Sequence, residues 1–569
     1  MKKRTLILAI TALMALAALT LLSAACSNSS PGDPAPETSA SGPAPTQSAP
    51  ETAPGSSGEP AAVTELTFGE SWGYEDGFYP VITPETGTTY GIRYIGCNFY
   101  ETLVNYDGGE FTPGLAESWD ISDDGTVYTF HLRRGVKFSD GKDFTAEAVK
   151  KSFEAVPGNL GMYNGSYGTV STLFKEIAVI DEYTVELRLT QPYYAALKDL
   201  TLLVPMGIVS PDMLGDDHAP SDAFKTGTYG TGPYMYAGDG DGSTYTFVRN
   251  PYYWGEPPAV EKFHIKVIPD NGAKLLALKS GELDLIVTSA SLSYDGFLEM
   301  RSSEGFAAET SDAETNVRYL CFNLAHAPFD EPGVREAIAL AIDKAGICDG
   351  LLSGLEAPAG ALFPKSYPYC DADVNVSAYD PERAKAALEA LGWTDADGDG
   401  IREKDGARLS GSLIYSTIDS QFPDLALAVA SQAREIGVEL IPESYDMMGF
   451  YSAMYGDYAV CLYRAYGIDF DPSTFFTNMS TELSADPIAM QALAYTDGGD
   501  ELIKRLNSTP DEDEVRSIYS QILNEVNDKH IFIPISYMKE LAAWNTDKLA
   551  AFEFDGQPAN TNVARITPK

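Results

Sequence analysis

The chain contains few of the side chains that build metal sites and covalent catalytic centres. Among its 569 residues there are six cysteines and five histidines. No two histidines have the i, i+4 spacing that would place them together on one face of a helix. They are His131, His218, His264, His326 and His530. The sequence therefore does not indicate a histidine-built metal site.

Basic residues are also few in this chain. The chain has 39 Lys and Arg against 82 Asp and Glu, a formal net charge of −43. Binding to nucleic acid, or by charge to an anionic membrane, depends on clustered Lys and Arg, so both kinds of partner are excluded. The 33 Tyr, 25 Phe and 44% hydrophobic residues exclude a wholly disordered acidic chain. At roughly 100–200 residues per domain, the length predicts two to four domains.

The common catalytic motifs are also missing. We find no GxSxG, HExxH or GxxxxGK(S/T), and no GxGxxG between a strand and a helix. A nucleophile elbow, a zinc protease helix and a phosphate-binding loop are therefore not supported. We predict that the protein is not an enzyme and that it needs no resident cofactor.

The cysteines after residue 26 form no CxxC pair, which argues against a zinc knuckle or a thioredoxin-type motif. They are Cys97, Cys321, Cys348, Cys370 and Cys461. Most are predicted to be small buried side chains. Pairing of Cys348 with Cys370 in an exported protein remains an alternative.

What is present begins with an export signal. Three basic residues at 2–4 precede an apolar run over residues 6–22, and small residues then lead to Cys26. This resembles a lipobox, which predicts a signal peptide at 1–25 and lipidation of Cys26. Ser23 stands where the motif usually has Leu. An ordinary signal peptide or an uncleaved membrane anchor remains open.

Residues 26–62 follow as a low-complexity segment. Residues 27–62 contain eight prolines and no Lys, Arg or aromatic residue. Such a composition cannot bury enough apolar surface to offset its chain entropy, so we predict a disordered tether after the lipidated Cys. This organisation predicts a domain held at the outer face of the cytoplasmic membrane.

From residue 63 onward, strand-like and helix-like patterns alternate. Residues 126–132, 183–189 and 262–268 alternate apolar and polar side chains, as strands do. Residues 330–347 and 380–391 read as amphipathic helices that open at an acidic residue near a proline. The mixture predicts an α/β or α+β protein with more than one lobe.

One acidic loop invites a metal interpretation. Asp395, Asp397 and Asp399 occupy positions 1, 3 and 5 of an EF-hand-like loop, with Gly400 at position 6. Position 12 is Gly406 instead of the bidentate Glu. We therefore favour an acidic turn, with these three carboxylates as weak metal candidates only.

Aromatic side chains cluster in two stretches, and a few charged residues lie among them. Aromatics with sparse charges suit an apolar-walled cleft with polar anchors, although any single ring can equally belong to a core. The stretches contain Trp72, Tyr74, Phe78, Tyr79, Tyr90 and Tyr94, and then Tyr458, Tyr463, Arg464, Tyr466, Asp469 and Phe470.

A set of motifs in chain order covers nearly all of residues 63–569. They include PGLAESW at 113–119, GVKFSDG at 135–141, GTGPY at 230–234, YDPERA at 379–384 and IPISY at 533–537. With these motifs the chain resembles the peptide/nickel family of extracellular solute-binding proteins, the receptors of ABC importers.

The resemblance implies a two-lobed α/β fold of the periplasmic-binding-protein type, with a ligand cleft between the lobes. By analogy two hinge crossings lie near residues 316–323 and 531–537. Lobe I would take residues 63–316 and 535–569, and lobe II residues 317–534. Ligand binding would close the lobes, and the receptor, expected to be monomeric, would deliver its ligand to a membrane permease.

Two branches of the family compete for the ligand. The peptide branch binds the ligand's amino terminus with an Asp three residues after an aromatic, a pattern matched by Tyr466 and Asp469. Arg93, just before an aromatic residue in the first lobe, would bind the ligand carboxylate through two hydrogen bonds. The alternatives remain that Asp469 caps a turn and that Arg93 is solvated. Further predicted ligand contacts are Trp72, Tyr94, Arg464 and Phe470.

Whole-chain resemblance leans instead towards the nickel branch, which holds metal chelates with arginines and a histidine. Those arginines fall at Val204 and in the arginine-free residues 158–166, and the histidine falls near Ser484. The chelate site is therefore not reproduced. A peptide-like ligand is the main hypothesis and a nickel or metal chelate the alternative. A secreted hydrolase and an adhesive or signalling surface protein are more distant alternatives.

Overall fold

The computed structural model describes residues 63–84, 90–107, 109–238, 240–464, 472–481, 488–489, 498–554, 556 and 559–569. The predicted signal peptide, Cys26 and the tether lie outside these residues, as do Tyr466, Asp469 and Phe470. Among the described helices, none is long and apolar enough to cross a membrane.

Strands are distributed over the whole described chain. They are β1 (Glu65–Glu70), β2 (Val104–Asp107), β3 (Glu110–Pro113), β4 (Ala116–Ile121), β5 (Val127–Leu132), β6 (Phe174–Asp181), β7 (Thr184–Leu189), β8 (Tyr234–Tyr236), β9 (Thr244–Arg249), β10 (Lys262–Val267), β11 (Leu285–Val287), β12 (Phe306–Phe322), β13 (Ala357–Pro358), β14 (Glu403–Lys404), β15 (Ala407–Arg408), β16 (Ser410–Ser416), β17 (Glu439–Tyr445), β18 (Val460–Arg464), β19 (Phe532–Asn545), β20 (Leu549–Phe552) and β21 (Ile566–Pro568).

Helices alternate with these strands. They are α1 (Tyr90–Ile95), α2 (Ala146–Leu160), α3 (Ala196–Asp199), α4 (Leu203–Met206), α5 (Asn271–Ser280), α6 (Tyr294–Ser302), α7 (Pro332–Ala341), α8 (Lys344–Gly346), α9 (Pro381–Ala390), α10 (Phe422–Glu435), α11 (Met447–Met454), α12 (Pro472–Thr477), α13 (Gly499–Leu506) and α14 (Glu512–Asp528).

Local sequence patterns explain most of these elements. The three alternating segments predicted as strands are β5, β7 and β10. The helix predicted at 380–391 is α9, where the Asp380 carboxylate accepts the Arg383 N–H at the first turn. The prediction of a single helix over residues 330–347 is wrong, because the observed helix is the shorter α7. It stops at Ala341, because Ile342 is extended and Asp343 accepts the Gly346 N–H to start a new turn.

Eleven strands form one sheet. Ten lie in the order β17-β16-β18-β12-β19-β11-β1-β10-β9-β8, and β13 pairs with β19. A separate antiparallel sheet has the order β4-β5-β7-β6. Strand order departs from chain order at several places, so residues far apart in sequence become neighbours at the middle of the large sheet.

The middle of the large sheet consists of its two longest strands, β12 and β19. They are antiparallel, from Phe306 opposite Asn545 to Cys321 opposite Phe532, with two register shifts between Thr310 and Asn316 and a third next to Arg318. Most of each segment predicted as a hinge crossing, 316–323 and 531–537, lies in one of these two strands.

Buried side chains form two hydrophobic clusters. We call one the first core, which includes Leu66, Phe130, Val149, Phe247 and Phe263. The other is the second core, which includes Val317, Phe322, Ile338, Leu413 and Phe532. The long strands contribute to both, since Leu541 of β19 belongs to the second core and Trp544 to the first.

Candidate functional site

The half-buried side chain of Tyr94 is the centre of the candidate site. Tyr94 is on α1, and burial raises the pKa of its hydroxyl to about 12. Arg464 and Arg93 oppose that rise electrostatically, whereas Glu70 and Glu540 add to it. Two cations and two carboxylates from four different elements therefore act on one phenol.

Glu70, the last residue of β1, is a buried carboxylate held by three donors. Its Oε1 accepts the Ser71 N–H at 2.6 Å and the Ser291 hydroxyl at 3.1 Å, and the Trp72 N–H is a further donor. Burial raises the pKa of Glu70 despite these donors. This network fixes the backbone at Ser71 and Trp72, the residues that follow β1.

A lysine lies behind this carboxylate. Lys274 on α5 is fully buried, and its ammonium donates to the Ser71 hydroxyl. Burial lowers the pKa of Lys274 to about 8, although Glu70 opposes the shift. Because an isolated buried charge is costly, Glu70 and Lys274 compensate each other.

Glu540 on β19 is the second carboxylate that acts on Tyr94. The Ser289 N–H donates to its Oε2 at 2.7 Å, and the Thr315 hydroxyl donates to its Oε1 at 3.3 Å. Only 8% of the residue is exposed. Glu540 lies on one of the two long central strands, so a change in their arrangement would move this charge.

Arg93, next to Tyr94 on α1, opens onto a cavity of about 390 Å³. Its guanidinium lies over the Tyr167 ring, 5.4 Å from the centroid. The cavity wall also contains Glu101, Arg565 and Val204. Val204 is where the nickel branch would place an arginine, so the wall is apolar at that point.

Arg464 approaches Tyr94 from the second core. It is the last residue of β18, and its side chain is 27% exposed. Its guanidinium lies 3.7 Å from the buried carboxylate of Asp419, which follows β16. The positive charge of Arg464 acts on Tyr94 of α1, whose pKa it lowers.

Three of the predicted ligand contacts therefore have described positions around the Tyr94 phenol, although of these three only Arg93 lines the cavity. Arg93, Tyr94 and Arg464 are linked by their mutual electrostatics, and Trp72 is linked through its hydrogen bond to Glu70. The remaining three, Tyr466, Asp469 and Phe470, lie outside the described residues.

Sequence reasoning missed Glu70, Lys274, Asp419 and Glu540. A signal existed for two of them, since Glu540 interrupts the apolar end of β19 and Glu70 directly follows the alternating run of β1. A carboxylate in an otherwise buried strand requires a compensating partner, which is typical of a site. Nothing local distinguished Lys274 or Asp419.

The acidic loop is arranged differently from the EF-hand pattern. Asp395, Asp397 and Glu403 bring their oxygens within 4.8 Å of one another. Asp399 is outside this group because it pairs with Arg408 at 2.6 Å. The carboxylates of Asp395 and Asp397 accept backbone N–H groups within the loop, which is how an acidic turn is stabilised.

None of the five described cysteines forms a disulfide. Cys348 and Cys370, for which pairing was considered, are both buried thiols. Burial raises the pKa of Cys348 to about 12, which keeps the thiol protonated.

A large sheet that continues through two hydrophobic cores, with charged groups where its longest strands meet, is the arrangement of a two-lobed binding protein. The sequence model of "Bacterial extracellular solute-binding proteins, family 5 Middle" matches residues 110–486. The chain therefore belongs to family 5 of the bacterial extracellular solute-binding proteins. Members of this family are binding proteins.

Relatives and solved structures agree with this family. The chain is 32% identical over 442 residues to the nickel-binding periplasmic protein of Escherichia coli, covering 77% of this chain and 83% of that protein. It is 30% identical over 352 residues to the Escherichia coli dipeptide-binding protein, covering 57% and 62%.

The structural neighbours share the two-lobed α/β fold. The structure of NikA from Brucella suis in complex with Fe(III)-EDTA superposes with a TM-score of 0.81 at 28% identity, covering 89% of this chain and all of that one. The oligopeptide-binding protein AppA of Bacillus subtilis, solved with a nonapeptide, has a TM-score of 0.71 at 21% identity, covering 90% of this chain and all of that one.

Proposed function

We propose that this protein is the receptor of an ABC importer, that it captures a peptide-like ligand between two lobes, and that it delivers the ligand to a membrane permease. One observation carries the proposal. The chain belongs to family 5 of the extracellular solute-binding proteins, and its relatives include dipeptide- and di/tripeptide-binding proteins. The charges of Arg93, Arg464, Glu70 and Glu540, which all influence the pKa of Tyr94, agree with this proposal. Cations and carboxylates around one phenol suit a zwitterion, which carries both a carboxylate and an ammonium group.

Each predicted contact has a role in this proposal. Arg93 and Arg464 face the ligand carboxylate, since a guanidinium binds a carboxylate through two parallel hydrogen bonds. Asp469 binds the ligand ammonium group. Trp72, Tyr94, Tyr466 and Phe470 supply the walls of the cleft.

A nickel or metal chelate is the second candidate ligand. The 32% identical relative is named for nickel binding, and the Brucella suis neighbour was solved with an iron chelate. A chelate presents carboxylates, which Arg93 and Arg464 could hold. Val204 in the cavity wall weighs against this candidate, because it takes the place of a chelate-binding arginine.

We infer that lobe I consists of residues 63–316 and 535–569, and lobe II of residues 317–534. The two hydrophobic cores support this division in part. Leu66 and Phe263 lie in the first core, and Phe322 and Leu413 lie in the second, but the second core also takes buried side chains of lobe I from residues 277–308 and Leu541. The receptor works as a monomer on the outer face of the cytoplasmic membrane.

Lipidation of Cys26 anchors the receptor in this proposal, with residues 26–62 as a tether. Cys26→Ser removes the acceptor thiol, so we expect the protein to move from the membrane fraction to the medium or periplasm. Fractionation of cells that express either form tests the anchor. An unchanged distribution would argue for an uncleaved apolar segment.

The ligand itself is tested on the purified receptor. Native mass spectrometry identifies a co-purified ligand by its mass, and calorimetry then compares short peptides with nickel–histidine complexes. We expect peptide binding that Asp469→Ala weakens. Binding that requires nickel and ignores Asp469→Ala would select the chelate instead. Turnover of a bound peptide would revive the hydrolase hypothesis.

A further inference from the structure

Two arginines lie directly opposite each other in the large sheet. Arg318 of β12 pairs in register with Arg464 of β18. Directly opposed residues on antiparallel strands place their side chains on the same face, roughly 5 Å apart at Cβ. Like charges in that position repel each other, so this pair needs a neutralising partner.

Asp419 provides that partner. Its Oδ2 is ion-paired with Arg318 Nη1 and lies 3.7 Å from Arg464 Nη1. Its Oδ1 accepts the Gln421 N–H at 3.0 Å, just before α10. Burial raises the pKa of Asp419, but Arg318 and Arg464 outweigh burial and hold the pKa below its ordinary value.

The rest of the cluster holds Arg318 in place. Arg318 Nε donates to Glu356 Oε1 at 2.9 Å, and the side chains of Arg318 and Glu356 are 1% and 0% exposed. Glu356 also accepts the hydroxyls of Tyr294 and of Ser536 on β19. Arg318 is therefore satisfied from both sides and has little freedom to move.

The two arginines differ in solvent exposure, and this difference indicates different roles. Arg318 is 1% exposed and Arg464 is 27% exposed. Arg464 also acts electrostatically on Tyr94, whereas Arg318 acts on Glu356 and Asp419. Arg318 is thus the buried member of the pair, and Arg464 is the member that faces the candidate site.

We propose that Asp419 is a positioning residue that holds the guanidinium of Arg464 at the candidate site, so that Arg464 selects ligands with a free carboxylate. Asp419 acts through Arg464 and does not touch the ligand. The ligand-selecting half of this inference rests on the proposed function, and the positioning half does not.

The physical reason is the balance of charge behind Arg464. With Asp419 in place, one carboxylate lies between two guanidinium groups and attracts both. Without its charge, Arg464 faces the immobile Arg318 across the strand pair. The Arg464 side chain then swings towards solvent, and its geometry for a two-hydrogen-bond grip is lost.

The positioning role of Asp419 can be tested without ligand by measuring the chemical reactivity of Arg464. Wild type, Asp419→Asn, Asp419→Glu and the control Asp424→Asn, an exposed acid on α10, are treated with phenylglyoxal. Modification of Arg464 is measured by peptide mass spectrometry. We expect Asp419→Asn to speed the modification of Arg464 by up to about tenfold, because the electrostatic attraction between Asp419 and Arg464, 3.7 Å apart, is lost. Asp419→Glu restores most of the protection, and Asp424→Asn has no effect.

A test with ligand measures selection. The probes are alanyl-alanine and alanyl-alaninamide, which differ in the carboxylate alone. We expect wild type and Asp424→Asn to prefer the carboxylate form, and Asp419→Asn to lower that preference roughly tenfold. Asp419→Glu restores part of it. In an Arg464→Ala background, Asp419→Asn should have no further effect.

The outcomes separate the two proposals. Unchanged Arg464 reactivity in Asp419→Asn overturns the positioning role, whatever the ligand. Failure of wild type to bind either probe counts against the dipeptide form of the proposed function, while the reactivity test still decides the positioning role. If Asp419→Asn does not fold, Asp419→Glu is compared with wild type in both assays. Because it moves the carboxylate by one methylene, Arg464 should then be measurably more reactive than in wild type, and identical reactivity in the two proteins overturns the positioning role.

Discussion

Buried charge is the feature that most distinguishes individual residues in this protein. Glu70, Lys274, Arg318 and Asp419 are each less than a tenth exposed and each has a polar partner. Such groups are tolerated only when paired, and they are typical of binding sites. Predictions at this scale therefore concern single charged side chains.

Arg93 offers the most direct residue-scale prediction. Arg93→Ala removes a guanidinium from the wall of the cavity. We expect the affinity for a peptide with a free carboxylate to fall by about tenfold or more, since a hydrogen bond to a charged group contributes about 1.5–3 kcal/mol. Calorimetry measures the change. Arg134→Ala, on an exposed arginine, is the control, and an equal loss there would contradict the assignment.

Burial of His530 should make the free energy of unfolding depend on pH. Burial lowers its pKa below the ordinary value of 6.5, and its Nε2 lies 2.9 Å from the Ser377 hydroxyl. The unfolded chain therefore binds a proton more readily than the folded one, so the free energy of unfolding falls as the pH drops through 6.5.

His530→Asn should remove this component. Asn suits the positive φ of 49° at this position better than most residues. Denaturant unfolding between about pH 7.5 and 5.5 measures the difference between the two proteins. Parallel pH profiles would show that His530 titrates alike in the folded and unfolded states.

At the scale of elements, buried arginines join helices through backbone carbonyls. Arg335 on α7 donates to Lys529 O at 3.0 Å, just after α14. It also donates to Phe329 O and Asp330 O, both at 2.9 Å. Lys529 O lies at the carboxyl end of α14, where carbonyls lack partners in their own helix, and the other two carbonyls lie just before α7. One side chain here therefore satisfies three acceptors.

Arg335→Met should therefore be strongly destabilising. It leaves buried carbonyls without donors, and we expect a loss of about 3 kcal/mol. Arg383→Met is the matched control, because Arg383 makes an exposed ion pair with Glu336 at 2.8 Å. Exposed pairs contribute about 0–1 kcal/mol. Urea unfolding compares the two variants, and similar losses would contradict the role of Arg335.

At the scale of the whole molecule, the two hydrophobic cores are in contact through Tyr194. Tyr194 packs against both cores, and its hydroxyl lies 2.8 Å from that of Tyr519 in the second core. Gln191 Nε2 donates to Asn507 O at 2.9 Å close by. Contacts of this kind exist only while the two parts are together.

Tyr194→Phe should therefore weaken ligand binding without touching the ligand. Loss of one hydrogen bond, about 1 kcal/mol, shifts the equilibrium between open and closed lobes towards the open form. The affinity for the ligand should then fall roughly fivefold. Calorimetry with the identified ligand measures this, and small-angle scattering follows closure. Tyr252→Phe, on a tyrosine 46% exposed, is the control. Unchanged affinity would show that this contact does not bias closure.

Much of the fold could be predicted from local patterns. The strands β5, β7 and β10 follow from alternation, and α9 follows from Asp380 and Pro381 at its start. The helix over 330–347 was overpredicted, because Asp343 can cap a new turn as well as continue an old one. Such patterns depend only on residues close together in the chain, and their order is known directly from the sequence.

The candidate site was predictable in part. The aromatic clusters pointed to Trp72, Tyr94 and Arg464, and the peptide-branch hypothesis pointed to Arg93. The structure links all four to the charges around Tyr94, and their contact with ligand stays a prediction.

Glu70 and Glu540 had a local signal, a carboxylate at or within an apolar strand pattern. Lys274 and Asp419 had none, because the local sequence around a charged residue is the same whether its side chain is solvated or buried. Burial and partners decide that difference, and both come from packing.

The sequence by itself determined the mixed α/β class, the motifs of the family and the acidic character of the chain, since these depend on composition and short-range order. Only the tertiary structure decided that Glu70 and Glu540 act on one phenol and that Asp419 lies between Arg318 and Arg464. The sheet order β16-β18-β12-β19-β11-β1 makes neighbours of strands far apart in the chain. Local preference cannot specify such contacts, because they form only when distant strands pack together.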